Sequence, residues 1–124
     1  QLTIKDVVAI SKKGTSYDLA TVKTMPSGVY TLYRARQETA MPYKTMIYVN
    51  GAIAESLSYD TLTEKDGKIA VSGKKNYDVR ILYPNDEQQF LGEITLPKGK
   101  TQIIVVVQDI LGKERQVTYT AEVR

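Results

Sequence analysis

Asp60, Glu64 and Asp66 form a cluster of carboxylates, and Asp86 with Glu87 follows Pro84 and Asn85. Paired carboxylates are the chemistry of glycoside hydrolysis, which needs two of them about 5 to 10 Å apart across a cleft. Neither cluster is spaced for that arrangement, and charged side chains in such turn-rich runs are ordinarily solvated. A calcium loop would alternate oxygen ligands around an internal glycine and close on a glutamate, an order the run from Asp60 to Asp66 lacks. Gly67 and Gly73 bracket a short apolar stretch, with no Lys-Ser/Thr pair after them to complete a phosphate loop. The chain has no His and no Cys. Imidazole bases, thiolate nucleophiles, disulfides and the usual zinc ligands are therefore excluded. The expectation is a protein that is not an enzyme, with no catalytic residue, no metal and no cofactor.

The aromatic set is skewed instead, with nine Tyr, one Phe and no Trp. Tyrosine suits a half-wet sheet surface, where the ring packs and the hydroxyl reaches water or a partner. Tyr77, Tyr83 and Tyr119 share the parity of neighbouring aliphatics and read as structural. Tyr30, Tyr33, Tyr43 and Tyr48 lie near Arg34, Arg36 and Lys44. Tyr and Arg together are what protein interfaces favour, and tyrosine rings also stack on sugars. The candidate binding patch is Tyr33, Arg34, Arg36 and Tyr43. On a regular strand Tyr33 faces away from Arg34 and Arg36, so a single patch requires a bulge or an edge position. The competing reading is cross-strand tyrosine packing with arginine stems laid over it.

Strands must position these residues. Val117, Tyr119, Ala121 and Val123 alternate with Thr118, Thr120 and Glu122, the period of a strand with one buried face. Ile103 to Val107 is β-branched throughout, as a central strand covered on both faces would be. Asp109 to Lys113 supplies the turn between them, with Gly112 free to take a positive φ. Tyr77, Val79, Ile81 and Tyr83 alternate up to the turn at Pro84-Asn85-Asp86. Phe90, Ile94 and Leu96 share another parity up to Pro97-Lys98-Gly99. Ile69 and Val71 mark a short strand, Met46 to Val49 ends at the tight-turn dipeptide Asn50-Gly51, and Gly28 to Arg36 is rich in β-prone residues. Leu2 to Ile10 carries apolar residues at even positions, interrupted by Asp6. Ile53, Leu57 and Leu62 sit at helical spacing, which predicts one helical turn between Ala52 and Thr63. The predicted core holds Phe90, Ile94, Ile103, Val105, Val107, Val117, Tyr119, Val79 and Ile81. Strands this many, this short and this closely spaced build a sandwich or barrel.

A length of 124 residues, 42% of them hydrophobic, suffices for one domain over 1–124 with a core of its own. Seventeen Lys and Arg against 14 Asp and Glu leave a net charge of +3, spread along the chain, which argues against a nucleic-acid partner. No apolar run approaches the roughly 18 residues of a spanning helix, so no membrane insertion is expected within this segment. The start at Gln1 without a Met leads us to expect a processed or excised segment of a longer protein. The absence of Cys fits a periplasmic or cell-surface setting.

The run FLGEITLPKGKTQIIVVVQDILGKERQVTYTAEV, Phe90 to Val123, resembles the second half of a bacterial immunoglobulin-like module. Phe90, Ile94 and Leu96 match its aromatic-and-aliphatic strand, and Lys98-Gly99 its short turn. Ile103, Val105 and Val107 match its β-branched strand, Asp109 and Gly112 its Asp-x-x-Gly turn, and Val117 to Val123 its last strand. MIYVNG, Met46 to Gly51, is similar to the family's earlier Val-Asn-Gly turn. Lys113 stands where the family usually has Asn, and the stretch from Gly51 to Tyr77 is long for the pattern, predicting an added hairpin or a decorated loop. The resemblance implies an all-β immunoglobulin-like antiparallel sandwich of about seven to nine strands. It also implies a structural or protein-binding module of an exported bacterial protein, partnered by another protein or by neighbouring domains. A glycan-binding accessory module is the alternative.

Overall fold

The computed structural model describes residues 2–37, 44–65, 68–72, 77–78, 84–85 and 87–124, as backbone alone over 59–65, 68–72 and 77–78. Every regular element among them is a strand: β1 (Val8–Ser11), β2 (Ser16–Asp18), β3 (Thr24–Met25), β4 (Gly28–Ala35), β5 (Lys44–Val49), β6 (Ala52–Lys65), β7 (Lys68–Ser72), β8 (Tyr77–Asp78), β9 (Gln88–Leu96), β10 (Gly99–Gln108) and β11 (Glu114–Val123). They form a four-stranded sheet in the order β2-β1-β4-β9 and a seven-stranded sheet in the order β3-β11-β10-β5-β6-β7-β8. The pairings are antiparallel except that β3 runs parallel to the end of β11. Ala9, Tyr30, Leu32, Leu91, Ile94 and Leu96 of the smaller sheet share one core with Ile47, Ile103, Val105, Ala121 and Val123 of the larger. The fold is all-β and a sandwich.

β10 lies between β11 and β5, paired along most of its length on both sides. Ile103, Val105 and Val107 are inside, and Val106 is buried on the outer face, where it lines a shallow groove with Met46, Tyr48 and Gln116. The β-branched run is thus buried on its inner face, while on the outer face Val106 is buried and Ile104 half-buried. Phe90 and Ile94 are also buried, while Val117 and Tyr119 are half-buried against the core. Val79, Ile81 and Tyr83 of the predicted strand, Gly67, Gly73, Asp66 and Asp86 lie outside the described residues.

Three local readings are corrected. Ala52 to Thr63 is not a helical turn but part of β6. Asn50 at φ 51° and Gly51 at φ 83° turn the chain back along β5, and the backbone pairing so gained outweighs the helical spacing of Ile53 and Leu57. β6 then turns into β7, so a hairpin occupies the long stretch after Gly51. Second, the buried positions in the first ten residues change parity: Leu2 is buried, then Val7 and Ala9. Asp6 stands between them at φ 51°, a left-handed residue that resets the alternation. Third, β9 carries a bulge. Leu32 pairs with Gly92 but Tyr33 pairs with Phe90, which leaves Leu91 extra and fully buried. Beyond that point β9 turns over: Phe90 meets Tyr33, and Gln89 turns inward opposite Arg34.

Tyr30 fills the core beside Tyr17, edge-on at 5.9 Å, and its hydroxyl donates to the Pro26 carbonyl at 2.6 Å. Burial, with Tyr17 nearby, raises its phenol above the ordinary 10.0. The native state therefore holds that proton more tightly than the unfolded chain. The stabilisation is complete below pH ~10 and is lost as pH rises through the folded value. Tyr30→Phe should lower stability by about 1 kcal/mol at pH 7 through the lost hydrogen bond. It should also flatten the decline above pH ~10, as urea midpoints measured from pH 7 to 11 will record.

Candidate functional site

Arg34 sits at the end of β4 with no exposed surface. Its Nε donates to Gln89 Oε1 at 2.7 Å and its Nη1 to the Thr3 carbonyl at 2.6 Å. A guanidinium taken out of water is strongly disfavoured unless its donors are satisfied, and these two bonds are among those that satisfy it. Tyr33, on the opposite face of β4, is half-buried with its ring edge-on to Phe90 at 5.9 Å. Burial raises its phenol pKa. Arg36 is exposed just beyond the strand, its backbone N–H donating to the Glu87 carbonyl at 2.8 Å. Tyr43 lies outside the described residues. The three described residues of the expected patch do not share one exposed surface. Tyr33 and Arg36 reach solvent, whereas Arg34 is internal because it shares the inward parity of Tyr30 and Leu32, and the Leu91 bulge turns Gln89 inward to meet it.

At the turn between β10 and β11, which the sequence locates, the feature that sequence reasoning passed over is a pair of exposed aliphatics. Ile110 and Leu111 are 80% and 79% exposed. They are held outward by a closed set of bonds. Asp109 Oδ1 accepts from the N–H groups of Leu111 at 2.9 Å and Lys113 at 3.0 Å. The Asp109 N–H donates to the Lys113 carbonyl at 2.9 Å, and the Gly112 N–H to the Asp109 carbonyl at 3.0 Å. Gly112, at φ 85°, takes the left-handed position that closes the turn. Beside this tip a cavity of about 540 Å³ is lined by Leu2, Asp109, Leu111, Lys113, Glu114 and Arg115. Two adjacent aliphatics inside a turn, where polar residues are the rule, were the available signal.

A second concavity, about 370 Å³, lies between the β1–β2 turn and the start of β4. Tyr17 and Val29 give it apolar wall, and Lys12 and Lys13 stand at its rim. Lys12 Nζ is 3.2 Å from Glu93 Oε2 across the surface, an exposed pair of small energetic weight. Among the described residues no group of three or more His, Cys, Asp or Glu could hold a metal ion. Among them, too, no helix is long and apolar enough to cross a membrane. The side chains of Asp60 and Glu64 are not described.

Replacing Arg34 by Ala strips the bond partners from Thr3 O and Gln89 Oε1 in the interior. It should destabilise the fold by about 3 kcal/mol in denaturant unfolding. Asp109→Ala should cost about 1 to 2 kcal/mol and speed amide exchange at Leu111 and Lys113, since both N–H groups lose their acceptor.

A protein-family model matches residues 1–124, so the chain belongs to that family, and the match carries with it no activity, ligand or partner. No curated protein and no solved structure matches the chain.

Proposed function

We propose that this chain is a non-enzymatic, immunoglobulin-like module of an exported bacterial protein, and that it binds another protein through the β10–β11 tip. One observation carries the reading: two neighbouring aliphatic side chains stand almost fully in water on a turn braced by four hydrogen bonds. Such a turn loses little conformational freedom on binding, and burying both side chains is worth about 3 kcal/mol or more. The two-sheet architecture and the Asp-x-x-Gly turn support the immunoglobulin-like assignment. Placement in the periplasm or on the cell surface rests on that resemblance and on the absence of cysteine.

Glycan binding is the second reading, favoured by the groove with Tyr17 on its wall and Lys12 and Lys13 at its rim. A half-exposed ring offers a stacking face for a sugar.

A photoreactive phenylalanine analogue placed at Leu111 tests the protein reading in cells that make the protein, with the exposed Lys98 of the β9–β10 turn as control. A discrete protein adduct at 111 and none at 98 is expected. Equal labelling at both positions, or none at either, counts against a tip interface. Binding on a carbohydrate array that disappears in Tyr17→Ala would transfer the assignment to the groove.

A further inference from the structure

The edges of the two sheets are guarded unequally. β2, β3 and β8 are edge strands of only two or three residues, too short to template another chain, and β9, the longer edge of the smaller sheet, is interrupted by the Leu91 bulge. β3 caps β11 over just Glu122 and Val123. The rest of β11, from Glu114 to Thr120, pairs with β10 on one side and with no described strand on the other. Its free groups follow from the ladder. The N–H groups of Glu122 and Arg124 donate to the carbonyls of Lys23 and Met25, and the Lys113 carbonyl accepts from Asp109. Odd residues thus bond inward to β10, and even residues point outward. Glu114, Gln116, Thr118 and Thr120 therefore present their backbone donors and acceptors at an open edge, and all four side chains are exposed.

We propose that two copies of this chain pair antiparallel through this edge, about a two-fold axis at Val117. Only even residues offer outward groups, so hydrogen-bonded pairs must match even with even. The free segment runs from 114 to 120, and its centre is Val117. Glu114 then pairs with Thr120 of the second copy and Gln116 with Thr118, while Val117 faces itself and Arg115 faces Tyr119. No like charges are opposed. On the inner face, burial, with Asp18 and Asp6 adding to it, raises the Tyr119 phenol pKa. Arg115 of the second copy is then placed beside the half-buried Tyr119 ring. No proline interrupts the segment, and its register with β10 is continuous. A strand edge of this length is small among specific interfaces, so the association should be weak and concentration-dependent.

Sedimentation of the wild-type chain up to about 1 mM should show a monomer–dimer equilibrium. The double change Gln116→Lys with Thr118→Lys opposes like charges across the axis on the solvent face, and should weaken the dimer about tenfold or more. Gln116→Glu with Thr118→Lys pairs opposite charges and should restore it. Because the native chain has no cysteine, Val117→Cys gives a direct test of register. Non-hydrogen-bonded antiparallel pairs hold their Cα atoms about 4.5 Å apart, within disulfide range, so this variant should oxidise to a covalent dimer. Thr118→Cys should not. Thr118→Pro removes an outward donor without touching the β10 ladder, and should give a folded monomer. Leu111→Asp should leave the dimer unchanged, which separates this interface from the tip proposed above. A wild-type chain monomeric throughout the range overturns the proposal, whether or not it takes up extended peptides. So does a dimer insensitive to the charge changes and uncrosslinked at 117.

Discussion

Arg34 sets the constraint on which the rest of the described structure depends. A guanidinium with no exposed surface is tolerable only if hydrogen bonds replace its water, and two replacements reach it from distant parts of the chain. Gln89 is available because the Leu91 bulge turns β9 over, and Thr3 because the leading segment runs along the end of β4. That segment is fastened twice more: the Ala35 N–H donates to the Lys5 carbonyl at 2.8 Å, and the Thr3 N–H to Gln37 Oε1 at 2.8 Å. With Thr3 held, Leu2 is held beside Leu111 at the wall of the larger cavity. One buried cation thus connects the register of the small sheet to the setting of the exposed tip on the large one.

The bulge has a second effect across the sandwich. Gly92 sits at φ 143° directly under Glu55, where a Cβ would come within 2.5 Å of the Glu55 Cγ. Glu55 is itself buried, and it faces inward next to a register shift between Ile47 and Tyr48 in the β5–β6 pairing. Each sheet therefore carries an irregularity beside the place where it buries a charged residue. In the smaller sheet the extra residue turns Gln89 inward to meet Arg34, and Gly92 provides the room for Glu55 of the facing sheet.

This explains which parts of the molecule were legible in the sequence. β10, β11 and their turn are long, regular and locally encoded, so alternation and the Asp-x-x-Gly signal locate them. β4 was legible for the same reason. The role of Arg34 was not, because whether Gln89 faces in or out depends on one extra residue in a partner strand some 55 positions away. No window of sequence contains both. The change of parity at Asp6 had a local sign, a polar residue interrupting an apolar series, but its meaning rests on a left-handed φ that Asp adopts only in context. The helical spacing after Gly51 failed for a related reason: a strand pairing begun by Asn50-Gly51 decides the backbone, and Ile53, at 55% exposure, is left on the surface rather than on a buried helix face.

The tip and the free edge share one mechanical origin. β10 is bonded on both sides and its inner face is buried, so it is firmly set in the larger sheet, and β11 is bonded to it without a break from Glu114 to Val123. Anything presented by this hairpin is presented by the core. Motion that would blunt a tip of two aliphatics, or fray an open edge, has to break the β10–β11 ladder to occur. The small sheet carries its chain reversal differently: the turn after β1 closes on backbone and Ser11 bonds at 2.9 to 3.1 Å and exposes Lys12 and Lys13 instead of apolar groups. Solvated lysines at one turn and desolvation-ready aliphatics at the other give the two reversals opposite tendencies. The hairpin of the large sheet is the one whose water is favourable to displace.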